Sequence, residues 1–194
     1  MSKLCVTASQ TVGPFLTIAL KADGQEYIVP KNTEGALKLC GYVYDGEGNV
    51  VPDAVIEVWQ ANVFGNYNHP EDKSDTQIVN EFSGFGRSCT DQDGRFFFIT
   101  LKPGQVAGRG NTLQAPHIAV NVFARGMLKQ QVTRIYFSDE VKSNSEDPIL
   151  NSIEDEPSRN TLFAQLNSSS DGIMEYAFDI HLQGKLETVF LMSR

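Results

Sequence analysis

The sequence predicts a mainly β domain, an antiparallel β-sandwich with long loops and one or two short peripheral helices. Three observations predict it. Short runs alternate apolar with polar residues, turn residues separate those runs at regular intervals, and 194 residues suit one domain with a substantial core. We therefore expect a single domain over residues 1–194.

Most of the strands are predicted between residues 36 and 137. Pairs of alternating runs are separated by turn residues, which is the pattern of hairpins. Two hairpins are predicted, residues 36–44 with 55–59 and residues 87–90 with 95–101, and residues 117–124 and 131–137 are two further alternating runs on either side of a turn near Arg125-Gly126.

The C-terminal third predicts one helix and two closing strands. The helix runs from about Pro157 to Leu166, because proline suits a first helical turn and residues 154–156 place three carboxylates at its positive end. Residues 174–180 and 188–191 alternate like strands. The loops at residues 64–83 and 104–114 lack periodicity, and loops on a β scaffold commonly carry binding sites.

Composition excludes several functional classes. The formal net charge of -8 argues against nucleic-acid or anionic-membrane binding, which needs a basic surface. We find no apolar run of signal-peptide or membrane-span character, so we expect a cytoplasmic protein. Cys5, Cys40 and Cys89 are odd in number and far apart, so we expect reduced thiols without a disulfide framework or zinc site.

One short strand, residues 117–124, carries half of a metal-binding pattern. Side chains alternate along a strand, so His117 shares a face with residue 119, where a second histidine would complete a His-x-His pair. Position 119 is alanine and coordinates nothing. Ile118, Val120 and Val122 form a core-facing side, so we expect His117 to face away from the main core toward a more polar surface shared with Asn121.

Other candidate motifs are weak. Asp91-Gln92-Asp93-Gly94 lacks the bidentate glutamate of a calcium loop and favours a plain turn. Gly84-Phe85-Gly86-Arg87 lacks the third glycine of a dinucleotide fingerprint. His69, His117 and His181 show no metal-ligand spacing. The acidic clusters at residues 139–140, 146–147 and 154–156 are interpreted as solvated surface.

Tyr67 is a more suggestive residue. It lies in Gly65-Asn66-Tyr67-Asn68-His69, shortly after the strand that contains Trp59. A phenol in such a loop can ligate ferric iron as phenolate, whereas a lone loop tyrosine is usually packed or hydrogen-bonded. Both interpretations stay open on the residues alone.

Several ordered motifs together resemble the intradiol catechol dioxygenases. They extend from the N-terminal segment to the C-terminal segment and so cover nearly the whole chain. The motifs are Ser9 to Phe15 (SQTVGPF), Gly41 to Asp45, Val58 to Asn62, Gly65 to Tyr67, Phe85 to Arg87, Thr90 to Gly94, Lys102 to Gly104, Ala115 to Ile118, Phe178 to Ile180 and Glu187 to Phe190.

The resemblance implies a damaged iron site. Catalytic members of the family hold one ferric ion with two tyrosines and a His-x-His pair, and use no organic cofactor. Tyr67 matches the first tyrosine and His117 the first histidine, but Val106 stands at the second tyrosine and Ala119 at the second histidine. Gln114 stands near the position of an arginine that stabilises the activated ring. Two of four donors remain, so we predict no metal and no cofactor in this chain.

The resemblance also implies a partner. It predicts a catalytic beta subunit that carries Fe(III), an assembly that repeats alpha-beta pairs, and cleavage of 3,4-dihydroxybenzoate by dioxygen. Residues 1–35 are expected to form an N-terminal arm at the partner interface. The substrate pocket is expected to be walled by Thr11, Gly13 and Pro14 of this arm and by Arg134, whose cation suits the substrate carboxylate.

Two alternatives remain at the level of sequence. One is an iron dioxygenase with an atypical ligand set, in which His69 joins Tyr67 and His117. The other is a β-sandwich binding module without a catalytic partner, which leaves the Gln10 to Phe15 motif unexplained.

Overall fold

The computed structural model describes residues 5–72, 79–167 and 172–191. Within these residues lie eleven strands and three short α-helices. The strands are β1 (Leu37–Tyr44), β2 (Val55–Gln60), β3 (Phe85–Cys89), β4 (Arg95–Thr100), β5 (Val106–Ala107), β6 (Leu113–Gln114), β7 (His117–Phe123), β8 (Gln131–Phe137), β9 (Phe163–Asn167), β10 (Met174–Ala177) and β11 (Ile180–His181). The helices are α1 (Phe15–Leu20), α2 (Val141–Glu146) and α3 (Glu156–Asn160), and short 3-10 turns span Arg109–Asn111 and Leu150–Ser152.

The strands form two layers that meet at β9. One layer contains β4, β1, β10 and β9, with β11 continuing beside β1, and the other contains β9, β8, β7, β2 and β3. The predicted mainly β sandwich is confirmed, although three described pairings are parallel: β1 with β10, β1 with β11, and β8 with β9. The described helices number three instead of one or two, and all are short.

The two predicted hairpins are wrong. Both turns form, with Asp45 N donating to Asn49 O at 2.9 Å and Asp91 N donating to Arg95 O at 3.0 Å. However, β1 pairs with β4 and β10, while β2 pairs with β3 and β7, so each turn carries the chain between layers. Such a turn can span the ~10 Å between packed sheets, and turn residues alone do not distinguish the two outcomes. The predicted runs on either side of Arg125-Gly126, by contrast, form β7 and β8, which pair directly across their turn.

The predicted C-terminal helix, from about Pro157 to Leu166, is helical only in its first part. It ends at Asn160, and Phe163–Asn167 forms β9, which pairs with both β8 and β10. Asp155 caps the short helix by accepting from Ser158 N at 2.9 Å. The bonds that β9 gains from two neighbouring strands outweigh the local helix preference. Residues 188–191 do not form a strand, although Leu191 N donates to Val132 O at 2.7 Å.

A segment near the N-terminus closes one side of the sandwich. Arg87 N of β3 donates to Gln25 O, and Ile99 N of β4 donates to Glu26 O, each at 2.9 Å. Residues 25–29 therefore cover the edges of both layers, which protects strand edges from pairing with other chains. Ile28 is 1% exposed, so this part of the predicted arm belongs to the core. In the part of the chain that the structure describes, no helix has the length and apolar character needed to cross a membrane.

Candidate functional site

The candidate site is built on a row of side chains across three strands. Trp59 of β2 is paired with Ala119 of β7, and Ala119 is paired with Arg134 of β8, so their side chains share the outer face of the sheet. We call these three residues the site row. In the next row, His117 is paired with Tyr136. Because alanine is short, the middle of the site row leaves space between two large side chains.

Tyr67 reaches this row through a tightly held loop. Its ring stacks on Trp59, with centroids 6.0 Å apart and planes 6° from parallel. Asn62 organises the loop, since its Oδ1 accepts from Phe64 N at 2.9 Å and Asn66 N at 3.1 Å. Gly104 N donates to Asn62 O at 2.8 Å, which ties the loop to the segment that leads to Val106. Tyr67 is therefore positioned by backbone contacts between two loops.

A cavity of about 630 Å³ opens beside the stacked rings. It is lined by residues of both loops and of β5, namely Trp59, Gly65, Tyr67, His69, Glu71, Asp72, Val106 and Ala107. Two of the predicted site positions, Tyr67 and Val106, thus face one cavity. Its size lies in the range of small-molecule sites.

Arg134 is held by a chain of polar contacts. Its Nη1 donates to Gln114 Oε1 at 2.6 Å and to Tyr136 Oη at 3.4 Å. Gln114 is paired with Val106 in the small β5–β6 sheet. Gln114 is therefore a hydrogen-bond acceptor for an arginine of the same chain.

Asp147 forms the buried end of that chain of contacts. Tyr136 Oη donates to Asp147 Oδ1 at 3.2 Å. Asp147 is 0% exposed and also accepts from Ala115 N at 2.8 Å, Ile149 N at 2.8 Å and Leu150 N at 2.9 Å. The interpretation of residues 146–147 as solvated surface is therefore wrong for Asp147. Nothing in the local sequence indicates that this carboxylate is enclosed.

Burial favours the neutral forms of three side chains in the site, two phenols and one imidazole. Burial raises the pKa of Tyr67, and the Arg134 cation opposes that rise. Burial also raises the pKa of Tyr136 well above that of an ordinary phenol. For His117, burial followed by the nearby Arg134 cation lowers the pKa to about 4. Both phenols and the imidazole are therefore uncharged at neutral pH.

His117 is buried, contrary to the polar surface that we expected. It is 5% exposed, its ring lies 5.6 Å from that of Tyr136, and its Nδ1 donates to Ala115 O at 2.7 Å. The opposite face of β7 enters the main core as predicted, with Ile118 and Val122 0% exposed. On the outer face, His117 packs instead against Tyr136, which belongs to a smaller second cluster with Ala115, Leu150 and Leu162.

The residues present do not fit the ferric iron that the resemblance implies for catalytic members. Val106 and Ala119 offer no donor atom, and burial disfavours the phenolate form of Tyr67. A fixed guanidinium, that of Arg134, lies beside the remaining two donors. Within residues 5–72, 79–167 and 172–191, no three His, Cys, Asp or Glu side chains are grouped as metal ligands. No reaction step through a metal follows for this chain.

His69 does not complete an alternative ligand set among the described residues. It is exposed, lies edge-on to Trp59 with centroids 6.4 Å apart, and its Nδ1 accepts from Glu71 N at 3.2 Å. His117 packs against Tyr136 instead. The two histidines therefore have separate surroundings.

The four predicted pocket residues do not lie together within one chain. Thr11 Oγ1 accepts from Gly126 N at 2.8 Å, which places the N-terminal turn at the β7–β8 connection. Arg134 is paired with Ala119, five residues before Ala124, or about 17 Å along the strand. Pro14 caps α1 near the same connection, and Gly13 has a left-handed φ of 67°. One small ligand cannot contact both groups of the same chain.

Sequence reasoning missed Trp59, Tyr136 and Asp147 as site residues. The alternation of a strand places Tyr136 on the face of Arg134, so its proximity could have been inferred from the spacing of two. Trp59 lies in a quoted motif, but its pairing with Ala119 depends on strand register across distant segments. Asp147 gave no local signal.

A pH dependence of stability follows from His117. Its folded pKa of about 4 lies below the ordinary value of 6.5, so folding favours the neutral ring. This contribution is complete above pH 6.5 and is lost as the pH falls toward 4, by about 2 kcal/mol between pH 7 and 4.5. Urea unfolding at both pH values should show that His117→Gln removes this loss. His181→Gln is the matched control. If the free energy of unfolding fell by the same amount between pH 7 and 4.5 in both variants, the assignment to His117 would be contradicted.

Comparison with known proteins places these features in a family. The profile of a family described as Dioxygenase matches residues 21–184. The protocatechuate 3,4-dioxygenase alpha chain of Pseudomonas putida is 39% identical over 95% of this chain and 94% of its own length. The corresponding alpha chain of Burkholderia cepacia is 38% identical over 98% of both chains. The beta chain of the Burkholderia cepacia enzyme is 34% identical over 75% of this chain and 63% of its own length.

Solved structures agree on the fold. Catechol 1,2-dioxygenase from Pseudomonas arvilla C-1 aligns with a TM-score of 0.59 at 22% identity, covering 81% of this chain and 55% of that one. An intradiol ring-cleavage dioxygenase from Tetranychus urticae aligns with a TM-score of 0.61 at 18% identity, covering 91% and 94%. The chain therefore belongs to the intradiol dioxygenase family, which includes the alpha and beta chains of protocatechuate 3,4-dioxygenase.

Proposed function

We propose that this chain is the non-catalytic alpha subunit of a protocatechuate 3,4-dioxygenase. In the proposal it helps form the substrate pocket of a beta subunit that cleaves 3,4-dihydroxybenzoate with dioxygen to 3-carboxy-cis,cis-muconate. The observation that carries it is the match to two alpha chains over nearly the full length. The apolar residues at two ligand positions, Val106 and Ala119, support a role without its own metal.

The proposal assigns Fe(III) to the beta subunit and gives this chain the tasks of shaping and sealing the shared pocket. A beta chain is also among the relatives, which supports an alpha-beta pair. The pair is proposed to be cytoplasmic and to repeat into a larger oligomer. Metal bound in the partner would supply the centre that holds the two catechol oxygens.

The predicted N-terminal arm, residues 1–35, is the proposed contact with the partner through the part that precedes the core segment 25–29. Helix α1 has no buried residue, and its Phe15 and Ile18 are 75% and 74% exposed. Adjacent exposed apolar side chains on a short helix are typical of a surface that another protein covers. Thr11, Gly13 and Pro14 lie just before this helix, so docking of α1 would bring them to the partner.

Arg134 is the proposed cation for the substrate carboxylate. Only its Nη1 has hydrogen-bond partners among the described residues, so the N–H groups of Nε and Nη2 are left for a ligand. A guanidinium and a carboxylate form charge-assisted hydrogen bonds. Because Arg134 lies far from the N-terminal turn in one chain, the turn and the arginine need separate variants.

Co-expression tests the proposed function. The chain should co-purify with a beta-type chain that has both tyrosines and the His-x-His pair, and all the iron should belong to that partner. Phe15→Ser with Ile18→Ser should abolish co-purification. Val141→Ser, an equally exposed apolar position on α2, should leave it unchanged. Stoichiometric iron with a tyrosinate-to-iron band in the isolated native chain would refute the proposal.

Arg134→Ala in the complex should weaken substrate binding by about 10- to 100-fold, because charge-assisted hydrogen bonds contribute about 1.5 to 3 kcal/mol. The change should appear in the dissociation constant for 3,4-dihydroxybenzoate more than in the turnover number. Arg95→Ala is the control, since Arg95 is exposed and lies on β4, in the other layer of the sandwich. Unchanged binding would place Arg134 outside the pocket.

A further inference from the structure

We infer that the Arg134 guanidinium fills the centre of the former ligand set and that this built-in cation keeps metal ions out of the chain. The ligand set here means positions 67, 106, 117 and 119. The absence of two donor side chains lowers the affinity of the site for a metal ion. A cation among the remaining donors also repels a metal ion. The inference rests on the family's ligand positions and not on the proposed role as an alpha subunit.

The register places Arg134 among all four positions. It is the direct cross-strand neighbour of Ala119. It donates to Gln114, which is paired with Val106, and to Tyr136, which is paired with His117.

Tyr67 completes the enclosure from the other side of the site row. It stacks on Trp59, the second cross-strand neighbour of Ala119. The Arg134 cation acts electrostatically on the Tyr67 phenol, so the two groups are near each other.

Ala119 and Arg134 are coupled by space. Directly paired residues have Cβ atoms about 4.5–5.5 Å apart, so a long side chain at 134 extends over a small one at 119. A histidine at 119 would lie between the Trp59 ring and the guanidinium and would compete with Arg134 for the same volume. A histidine at position 119 and the observed orientation of Arg134 are therefore incompatible.

The cation is also anchored against displacement. Gln114 and Tyr136 hold Nη1, and Tyr136 in turn donates to the buried carboxylate of Asp147. Charge-assisted hydrogen bonds of this kind hold the guanidinium in place when a metal approaches. A second cation about 5 Å away would be disfavoured by roughly a hundredfold or more per unit charge at an effective dielectric constant near 20.

Restoring the ligands with and without Arg134 tests the inference. One variant of the full chain carries Val106→Tyr and Ala119→His, and a second adds Arg134→Met, which keeps length without charge. Ferric iron is titrated into each and followed by metal analysis and by the visible tyrosinate-to-iron band. We expect at least about hundredfold tighter iron binding in the variant without Arg134. Equal iron binding by both variants would overturn the inference.

A second measurement covers variants that bind no iron. Ala119→His should lower the midpoint of thermal unfolding more with Arg134 present than with Arg134→Met, because ring and guanidinium compete for space. Arg125→Met is the matched control and should not change the effect of Ala119→His. An equal effect in all three backgrounds would show that position 119 does not lie beneath the guanidinium. Neither result depends on co-purification with a beta chain, so failure here leaves the proposed function standing.

Discussion

Asp147→Ala should lower the free energy of unfolding by about 4 kcal/mol, because it leaves several buried donors without an acceptor. The carboxylate accepts from three backbone N–H groups, those of Ala115, Ile149 and Leu150, and from the Tyr136 hydroxyl. It is 0% exposed, so water cannot replace these bonds without opening the structure. Urea unfolding at pH 7 measures the change.

Two variants isolate the cause. Asp147→Asn keeps one oxygen but turns an N–H₂ group toward one donor, so its loss should be smaller than that of the alanine variant. Asp155→Ala removes an exposed aspartate that also accepts a backbone N–H, from Ser158, and its loss should be the smallest. If Asp147→Ala and Asp155→Ala unfolded at the same urea concentration, burial would not be the source of the effect.

Asp147→Ala should also disturb the positions of side chains in the candidate site. Asp147 supports Tyr136, which supports Arg134, so removing the carboxylate frees the Tyr136 hydroxyl that accepts from the guanidinium. Ala115 precedes His117 by two residues and also loses its anchor. The site is therefore positioned by a residue outside every recognised motif.

The fold could be predicted as far as local periodicity determines it. The alternation in residues 117–123 indicates a strand with one core-facing side, and that side is buried as expected. The turn after Asp45 was also predicted correctly. The two strands on either side of this turn do not form the predicted hairpin. Nothing within a turn specifies whether the returning strand pairs with its predecessor or crosses to the other layer. That choice depends on partners such as β10, more than a hundred residues away in sequence.

The candidate site, like the fold, could be predicted from the sequence only in part. Similarity of motifs predicts that positions 67, 106, 117 and 119 correspond to the family's iron ligands, but the surroundings of these positions are set by register between distant strands. The neutral, buried state of His117 depends on Tyr136 and on a cluster with Leu150, and neither is visible in the strand that contains it. Likewise, the separation of Thr11 from Arg134 depends on the contact between Thr11 and Gly126.

Gly65→Ala should destabilise the chain by about 4 kcal/mol and disturb the position of Tyr67. Gly65 has a left-handed φ of 81°, which an L side chain adopts at a cost of about 1 to 2 kcal/mol. A Cβ at this position would also collide with the carbonyl oxygen of Gln105, a backbone atom that cannot rotate away. Overpacking of this kind adds about 1 to 3 kcal/mol.

Gly48→Ala separates these two contributions. Gly48 has nearly the same φ, 84°, but a Cβ there would meet no atom within 4 Å, so this variant measures the backbone cost alone. The excess loss in Gly65→Ala over Gly48→Ala should therefore be about 2 kcal/mol or more. Trp59, the single tryptophan, stacks on Tyr67 and should change its fluorescence in the folded Gly65 variant only. Equal unfolding free energies and unchanged fluorescence would mean that the contact between the two loops does not position Tyr67.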